Sequence, residues 1–238
     1  MKSVYSIRTT VLCFIALAIY ASPLAAQETR NVSVSNFSGV SVGAGIDLHI
    51  AQGNSESAKI VAESDVMDQV KIEKNGNDLK IGWKDSWNMN KMFKNKSAKV
   101  YVTYKKLNSI TASSGSSLKT DNTLKTDHLA AAVSSGANMD ANIVCNELQL
   151  STSSGAVASL SGTATNMEVN SSSGSNVNAV NLATQYARAS TSSGADVKIN
   201  VAKALEAHAS SGGNIGYKGA ADVKDTSSRR SSGVSRIN

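Results

Sequence analysis

Across residues 107–238 apolar and polar positions alternate, and the same tripeptide, Ser-Ser-Gly, interrupts the alternation seven times. Its glycines stand at 115, 136, 155, 174, 194, 212 and 233, so the intervals are 21, 19, 19, 20, 18 and 21 residues. A self-similar period near 20 residues is the mark of a solenoid. Period-2 alternation makes its walls strands with one face inward. Leucine-rich repeats share the length but need leucines at fixed offsets, and these are missing.

Seven, five and three positions before the first six glycines stand Asn108/Ile110/Ala112, Leu129/Ala131/Val133, Leu148/Leu150/Thr152, Met167/Val169/Ser171, Ala187/Ala189/Thr191 and Leu205/Ala207/Ala209. The third position after the glycine gives Leu118, Met139, Ala158, Val177, Val197 and Ile215. These columns are predicted to point inward. Between them Gln149, Ser151, Glu168, Asn170, Arg188, Ser190, Glu206 and His208 are predicted to point outward. The inward residues are small or medium, and Tyr186 and Tyr217 are the only aromatics of this half, which suits a narrow tube of stacked coils. Coils about 4.8 Å apart make seven of them a rod of roughly 30–35 Å. A single coil cannot bury its apolar face, so stability comes from neighbours.

At each corner a glycine allows φ above zero, and the serines are placed to bond the turning backbone or their counterparts in adjacent coils. Seven stacked corners would align two rows of serine along one edge. No base accompanies any one serine, so the repetition reads as architecture rather than as a set of nucleophiles. Regular apolar offsets also separate it from a flexible Ser/Gly linker.

Residues 27–106 lack the tripeptide but are strand-like. "FSGVSVGAGIDLHIAQG" alternates Val40, Val42, then Ile46, Leu48, Ile50 around a bend at Gly43 and Gly45, and "SAKIVAES" follows. "VKIEKNGNDLKIGW" predicts a hairpin turning at Asn75-Gly76. "SAKVYVTYKKLNSI" leads into the first coil.

Residues 1–26 read as a secretory signal peptide: Lys2 and Arg8, an apolar run over 11–20, then small residues to a cleavage point after Ala26. The run is shorter than the about 20 residues that span a bilayer, so no transmembrane span is expected after cleavage. The chain thus divides into a signal peptide (1–26), an N-terminal β portion with a hairpin and a basic, aromatic loop (27–106), and a repeat β-solenoid (107–238). Cys13 lies inside the apolar run, which excludes a lipoprotein cleavage site. Cys145, in "NIVCNEL", has no cysteine to pair with after cleavage and no histidine nearby, and reads as a buried small hydrophobe. The only proline, Pro23, precedes the cleavage point, which suits unbroken ladders. After cleavage 22 basic residues face 18 acidic ones. That mild excess, on an exported chain, makes nucleic acid an unsuitable partner and leaves anionic envelope polymers open.

Candidate chemistry is sparse. Six positions before the glycines a row stacks Gln149, Glu168, Arg188, Glu206 and Ser227. Glu168 and Glu206 would stand about 9 to 10 Å apart with Arg188 between, at the edge of the separation used by inverting glycosidases. Alternating charge along a ladder is equally what a solvated sheet face adopts. His49, His128 and His208 show no metal spacing, and neither metal nor cofactor is expected. Two positions after the glycines come Ser117, Asn138, Val157, Asn176, Asp196, Asn214 and Ser235, read as a hydrogen-bonding Asn ladder rather than a calcium roll. The segment 82–99 gathers Trp83, Trp87, Met89, Met92 and Phe93 among Lys84, Lys91, Lys94, Lys96 and Lys99. It is either a binding loop, with Trp83, Trp87, Phe93, Lys91, Lys94 and Lys96 as its contacts, or a cap over the open core with its lysines in water. Near the C-terminus Arg230 and Arg236 fall at inward positions, which marks the last coil as frayed or capping.

Taken together, "FSGVSVGAGIDLHIAQG", "VKIEKNGNDLKI", "VYVTYKKLNSITASSGSSL" and the Ser-Ser-Gly repeat resemble the bacterial autotransporter adhesin head domain of the GIN type, from about Asn36 onward. The resemblance implies a right-handed, β-helix-like exported protein of Bacteroidetes-type bacteria, adhesin-like and without family catalytic residues. The expectation is an all-β, noncatalytic binding or structural module of the periplasm, outer-membrane surface or exterior, with a glycan, an envelope polymer or a protein as partner. A carbohydrate-active β-helix enzyme using Glu168, Arg188 and Glu206, and a purely structural homo-oligomer, are the alternatives.

Overall fold

The computed structural model describes residues 27–84, 97–227 and 233–237. Among these described residues eighteen strands form one continuous sheet wound into two walls. The first wall runs in parallel register through β6 (Asp78–Trp83), β2 (Gly39–Val42), β8 (Ser109–Ala112) and β11 (His128–Val133). It continues through the second halves of β12 (Asn138–Thr152), β13 (Val157–Ser171), β14 (Asn176–Thr191) and β15 (Asp196–Ala209), ending on β17 (Asp222–Asp225). The second wall runs through β7 (Lys99–Tyr104), β3 (Asp47–Gln52), β9 (Ser117–Thr120), the first halves of β12 to β15, β16 (Asn214–Lys218) and β18 (Gly233–Arg236). Each long strand bends from one wall to the other, and the β12–β13 pairing skips Asn146 at that bend.

At the N-terminal end the ladders turn antiparallel. β5 (Val70–Asn75) pairs with β6 in the expected hairpin, with Gly76 at φ 62°. β4 (Ser57–Glu63) pairs with β7, and β1 (Gln27–Val32) with β4. The short α1 (Ser64–Met67) joins the two walls and buries Val66 and Met67. β10 (Leu124–Lys125) adds a short pairing to β12.

The inward columns are buried as the alternation predicts, with one exception. Asn108 is exposed and Leu107 is buried instead. Strand β8 begins only at Ser109, and the Asn108 N–H is tied to the Ser38 carbonyl at 2.8 Å, so the preceding turn presents Leu107 to the core.

The corners are type I′ turns, which require two consecutive left-handed residues. The glycines sit at φ 67–78°, and the second serine of each tripeptide from Ser114 to Ser211 also sits at φ 46–53°. The first serine's carbonyl accepts from the N–H after the glycine at 2.8–3.2 Å. At the corners coils are joined through backbone rather than through the tripeptide's own hydroxyls: each glycine N–H donates to the second serine's carbonyl in the next coil, from Gly115 to Ser135 at 3.0 Å through Gly194 to Ser211 at 3.1 Å. The bend at 43–46 is the same corner, with Ala44 at φ 55° and Gly45 at φ 75°, and Gly45 N–H reaches the Ser114 carbonyl at 3.0 Å.

Gly233, the glycine of the seventh Ser-Ser-Gly, does not hold such a corner. Gly233 pairs with Asn214, two places beyond the corner glycine Gly212, and has no positive φ. Ala207 pairs with Asp225 and Asn214 with Gly233, so the last coil holds one extra residue between those pairs.

Candidate ligand-binding face

On the first wall the outward column pairs Gln149 with Glu168, Glu168 with Arg188, Arg188 with Glu206, and Glu206 with Lys224. The expected row forms except at its end, where Lys224, three residues earlier in the chain, stands in the place foreseen for Ser227; the Ser227 hydroxyl instead accepts from Ala209 N–H at 2.9 Å. Arg188 lies 3.2 Å from the Glu206 carboxylate through both Nε and a terminal nitrogen, and Lys224 Nζ lies 3.4 Å from its other oxygen. Hydrogen bonds from Lys224 and then Arg188, with their charges, hold the Glu206 carboxyl below the usual carboxylate range. Glu168 accepts from Asn170 at 3.4 Å.

Two positions toward the N-terminus of each strand lies a second outward column, in which Glu147, Asn166, Tyr186 and Ala204 stack. Tyr186 is 44% exposed, with Lys203 Nζ 5.3 Å from its ring centre. The two columns bound a trough of about 400 Å³ whose floor includes Leu148, Met167 and Ala187. A second depression of about 330 Å³ shares Gln149 and Glu168 and extends the trough toward Ser109 and Thr111, over Ala130 and Ala132. Sequence reasoning missed Tyr186 as a site residue. The available signal was its position eight before Gly194, which has the outward parity of the charged row.

At the trough's rim His128 bridges two carboxylates, Nδ1 at 2.8 Å from Glu147 and Nε2 at 2.9 Å from Asp127. On the second wall His49 Nδ1 lies 2.8 Å from Asp121 and its ring stacks on Tyr101 with centroids 5.0 Å apart. His208 Nδ1 lies 3.1 Å from the Thr226 carbonyl. The histidines thus sit in separate places, and among the described residues no His, Cys, Asp and Glu cluster suits a metal ion. Cys145 is buried, and burial together with the Asp127 charge pushes its thiol up to about 11.

The expected Asn ladder stacks in register from Asn138 to Asn214, but its side chains do not bond one another among the described residues. Asp196 turns to Lys198 at 3.6 Å and Asn214 to the Gly212 carbonyl at 3.4 Å, while Ser235 pairs with Gly216 outside the row.

Of the aromatic and basic segment, Trp83 is described: its Nε1 donates to the Ala44 carbonyl at 2.7 Å and its ring packs against the core. Trp87, Lys91, Phe93, Lys94 and Lys96 lie outside the described residues. The flanks are fixed beside the first corner, since Gly43 N–H reaches the Ile81 carbonyl at 3.2 Å and Asp47 N–H the Ala98 carbonyl at 3.0 Å. No helix among the described residues is long and apolar enough to cross a membrane.

Residues 36–221 match the family described as "Putative auto-transporter adhesin, head GIN domain", and the chain belongs to that family. Among solved structures it is similar to a putative adhesin from Bacteroides fragilis NCTC 9343, with 23% identity and TM-score 0.81, covering 90% of this chain and 99% of that one. It is also similar to a putative adhesin from Parabacteroides distasonis ATCC 8503, with 18% identity, TM-score 0.71 and coverage of 90% and 98%. A structure from the same organism titled "Putative lipid binding protein" matches with 17% identity, TM-score 0.68 and coverage of 89% and 97%. At these identities the likeness is one of fold. No functionally curated protein matches the chain.

Proposed function

We propose that this member of the head GIN domain family is an exported, noncatalytic recognition module of the bacterial envelope or surface, with the outer face of the first wall as its contact surface. The observation that carries this reading is the fixed row Arg188–Glu206–Lys224 beside the exposed Tyr186 in an open trough. A ladder of parallel strands holds these groups in place before any ligand arrives, which reduces the ordering cost of binding.

The same row argues against Glu206 as the proton donor of a glycosidic pair. An inverting or retaining pair needs one carboxyl held protonated at working pH. Glu206 is shifted the other way by its two cationic neighbours. A carboxylate in that state accepts hydrogen bonds and does not donate a proton.

The test is a broad panel of glycans and envelope polymers probed with the chain from Gln27 onward, with reducing-sugar release assayed in the same wells. Retention without release is the expected result. Release would overturn the noncatalytic reading, and absence of retention on every polymer would overturn polymer recognition.

A further inference from the structure

We infer that the trough on the first wall is a binding site for a linear, neutral, hydroxyl-rich polysaccharide chain laid along the solenoid axis. The inference rests on the recognition reading above and names its ligand class and place.

Three features of the trough point to this ligand. The first is its charge balance. Glu206 is neutralised by Arg188 and Lys224, and His128 lies on Glu147. A polyanion would meet the carboxylates of Glu147 and Glu168, and a polycation would meet Arg188. A hydroxyl group both donates and accepts, so it satisfies carboxylates that only accept and guanidinium or amide groups that donate.

The second is Tyr186. An aromatic ring standing half-exposed at the wall of a polar trough offers its face to the C–H face of a pyranose, which buries apolar area without removing a hydroxyl from its partners. Lys203 lies over the ring and restrains it. The third is repetition. The joined depressions cross six strands, from β8 to β15, a length of about 24 Å at the spacing of adjacent strands. The outward columns renew polar groups at every coil step, and one coil step is close to the length of one sugar unit in an extended chain. A repeating polymer can therefore repeat its contacts, which a compact ligand cannot.

The test is titration of the chain with neutral linear oligosaccharides of increasing length, in gluco-, manno- and xylo-series, alongside polygalacturonate as an acidic comparator. Affinity for at least one neutral series is expected to climb with length and level off at roughly five units, the span of the about 24 Å trough. Tyr186→Ala is expected to weaken that binding by about tenfold or more at unchanged melting temperature, because Tyr186 lies in an outward column. Glu168→Ala should weaken it as well, and Tyr101→Ala, on the opposite wall, should not.

Full affinity in both trough variants would overturn the site while leaving recognition standing. Binding of polygalacturonate alone, or no gain beyond a disaccharide, would overturn the neutral-chain inference. A wild-type chain that retains no polymer at all would remove the recognition reading together with it.

Discussion

Tyr104 takes its whole side chain into the core, yet its hydroxyl has no hydrogen-bond partner among the described residues. Burial holds this phenol well above its ordinary range. A buried donor without a partner costs desolvation with nothing in return. Tyr104→Phe is therefore expected to raise stability by about 1 kcal/mol, read from the urea midpoint. Cys145 gives a pH prediction. Its thiol rises from 9.0 to about 11 on folding, mainly through burial. The unfolded chain ionises first, so this group's contribution is complete below about pH 9 and is lost as pH climbs toward about 11. Over that window the wild type should lose melting temperature more steeply than Cys145→Ala. At this scale the sequence revealed the inward columns and the buried thiol, because parity and residue type determine both. It concealed Lys224, because the last Ser-Ser-Gly lies three residues further along the chain than the pairing of β15 with β17 requires, and aligning on it selects Ser227.

The corner is the element on which the coils depend. Glycine at the third place of the tripeptide was legible from its conformational freedom. The left-handed serine before it was not, because serine seldom adopts that backbone. Nor did 43–46 declare itself a corner, since it shares only the glycine with the repeat. The strain at serine is measurable: Ser154→Asn places the residue favoured in type I′ turns at φ 53° and should stabilise the chain by a few tenths to about 1 kcal/mol. Two glycine replacements should differ in kind. At Gly155 an added Cβ meets nothing within 4 Å, so Gly155→Ala should cost only the backbone preference, about 1–2 kcal/mol. At Gly162, with φ 108°, the Cβ would run into the Ile143 carbonyl oxygen, and Gly162→Ala should cost about 3 kcal/mol or more. Equal losses in urea denaturation would contradict the contrast.

At the scale of the molecule the two ends differ. Antiparallel β1, β4 and β5 close the N-terminal end. Among the described residues the other end carries β17 and β18, where Asp225 stands in the column of Ala207 and Arg236 in the column of Tyr217 and Ile199. Both are exposed. The sequence placed a charge at an inward position with Arg236, which proves exposed; Arg230 lies outside the described residues. Charges in inward columns of an edge strand deter another sheet from joining it. The double variant Asp225→Val, Arg236→Val should self-associate where the wild type does not, as read by light scattering across a concentration series; an unchanged mass would refute the role of these charges.

The backbone ladder through the corners also has a mechanical meaning. Its bonds, Gly115 to Ser135 and onward, lie between successive coils, each of which touches only its neighbours. Tension along the rod therefore falls on one junction at a time. A coil that gives way releases about 19 residues, roughly 60 Å of slack chain, while the coils behind it stay wound. Held between two anchored points, such a rod lengthens in near-equal steps and spends work at each one, so a sudden pull is absorbed as extension before it reaches the anchors.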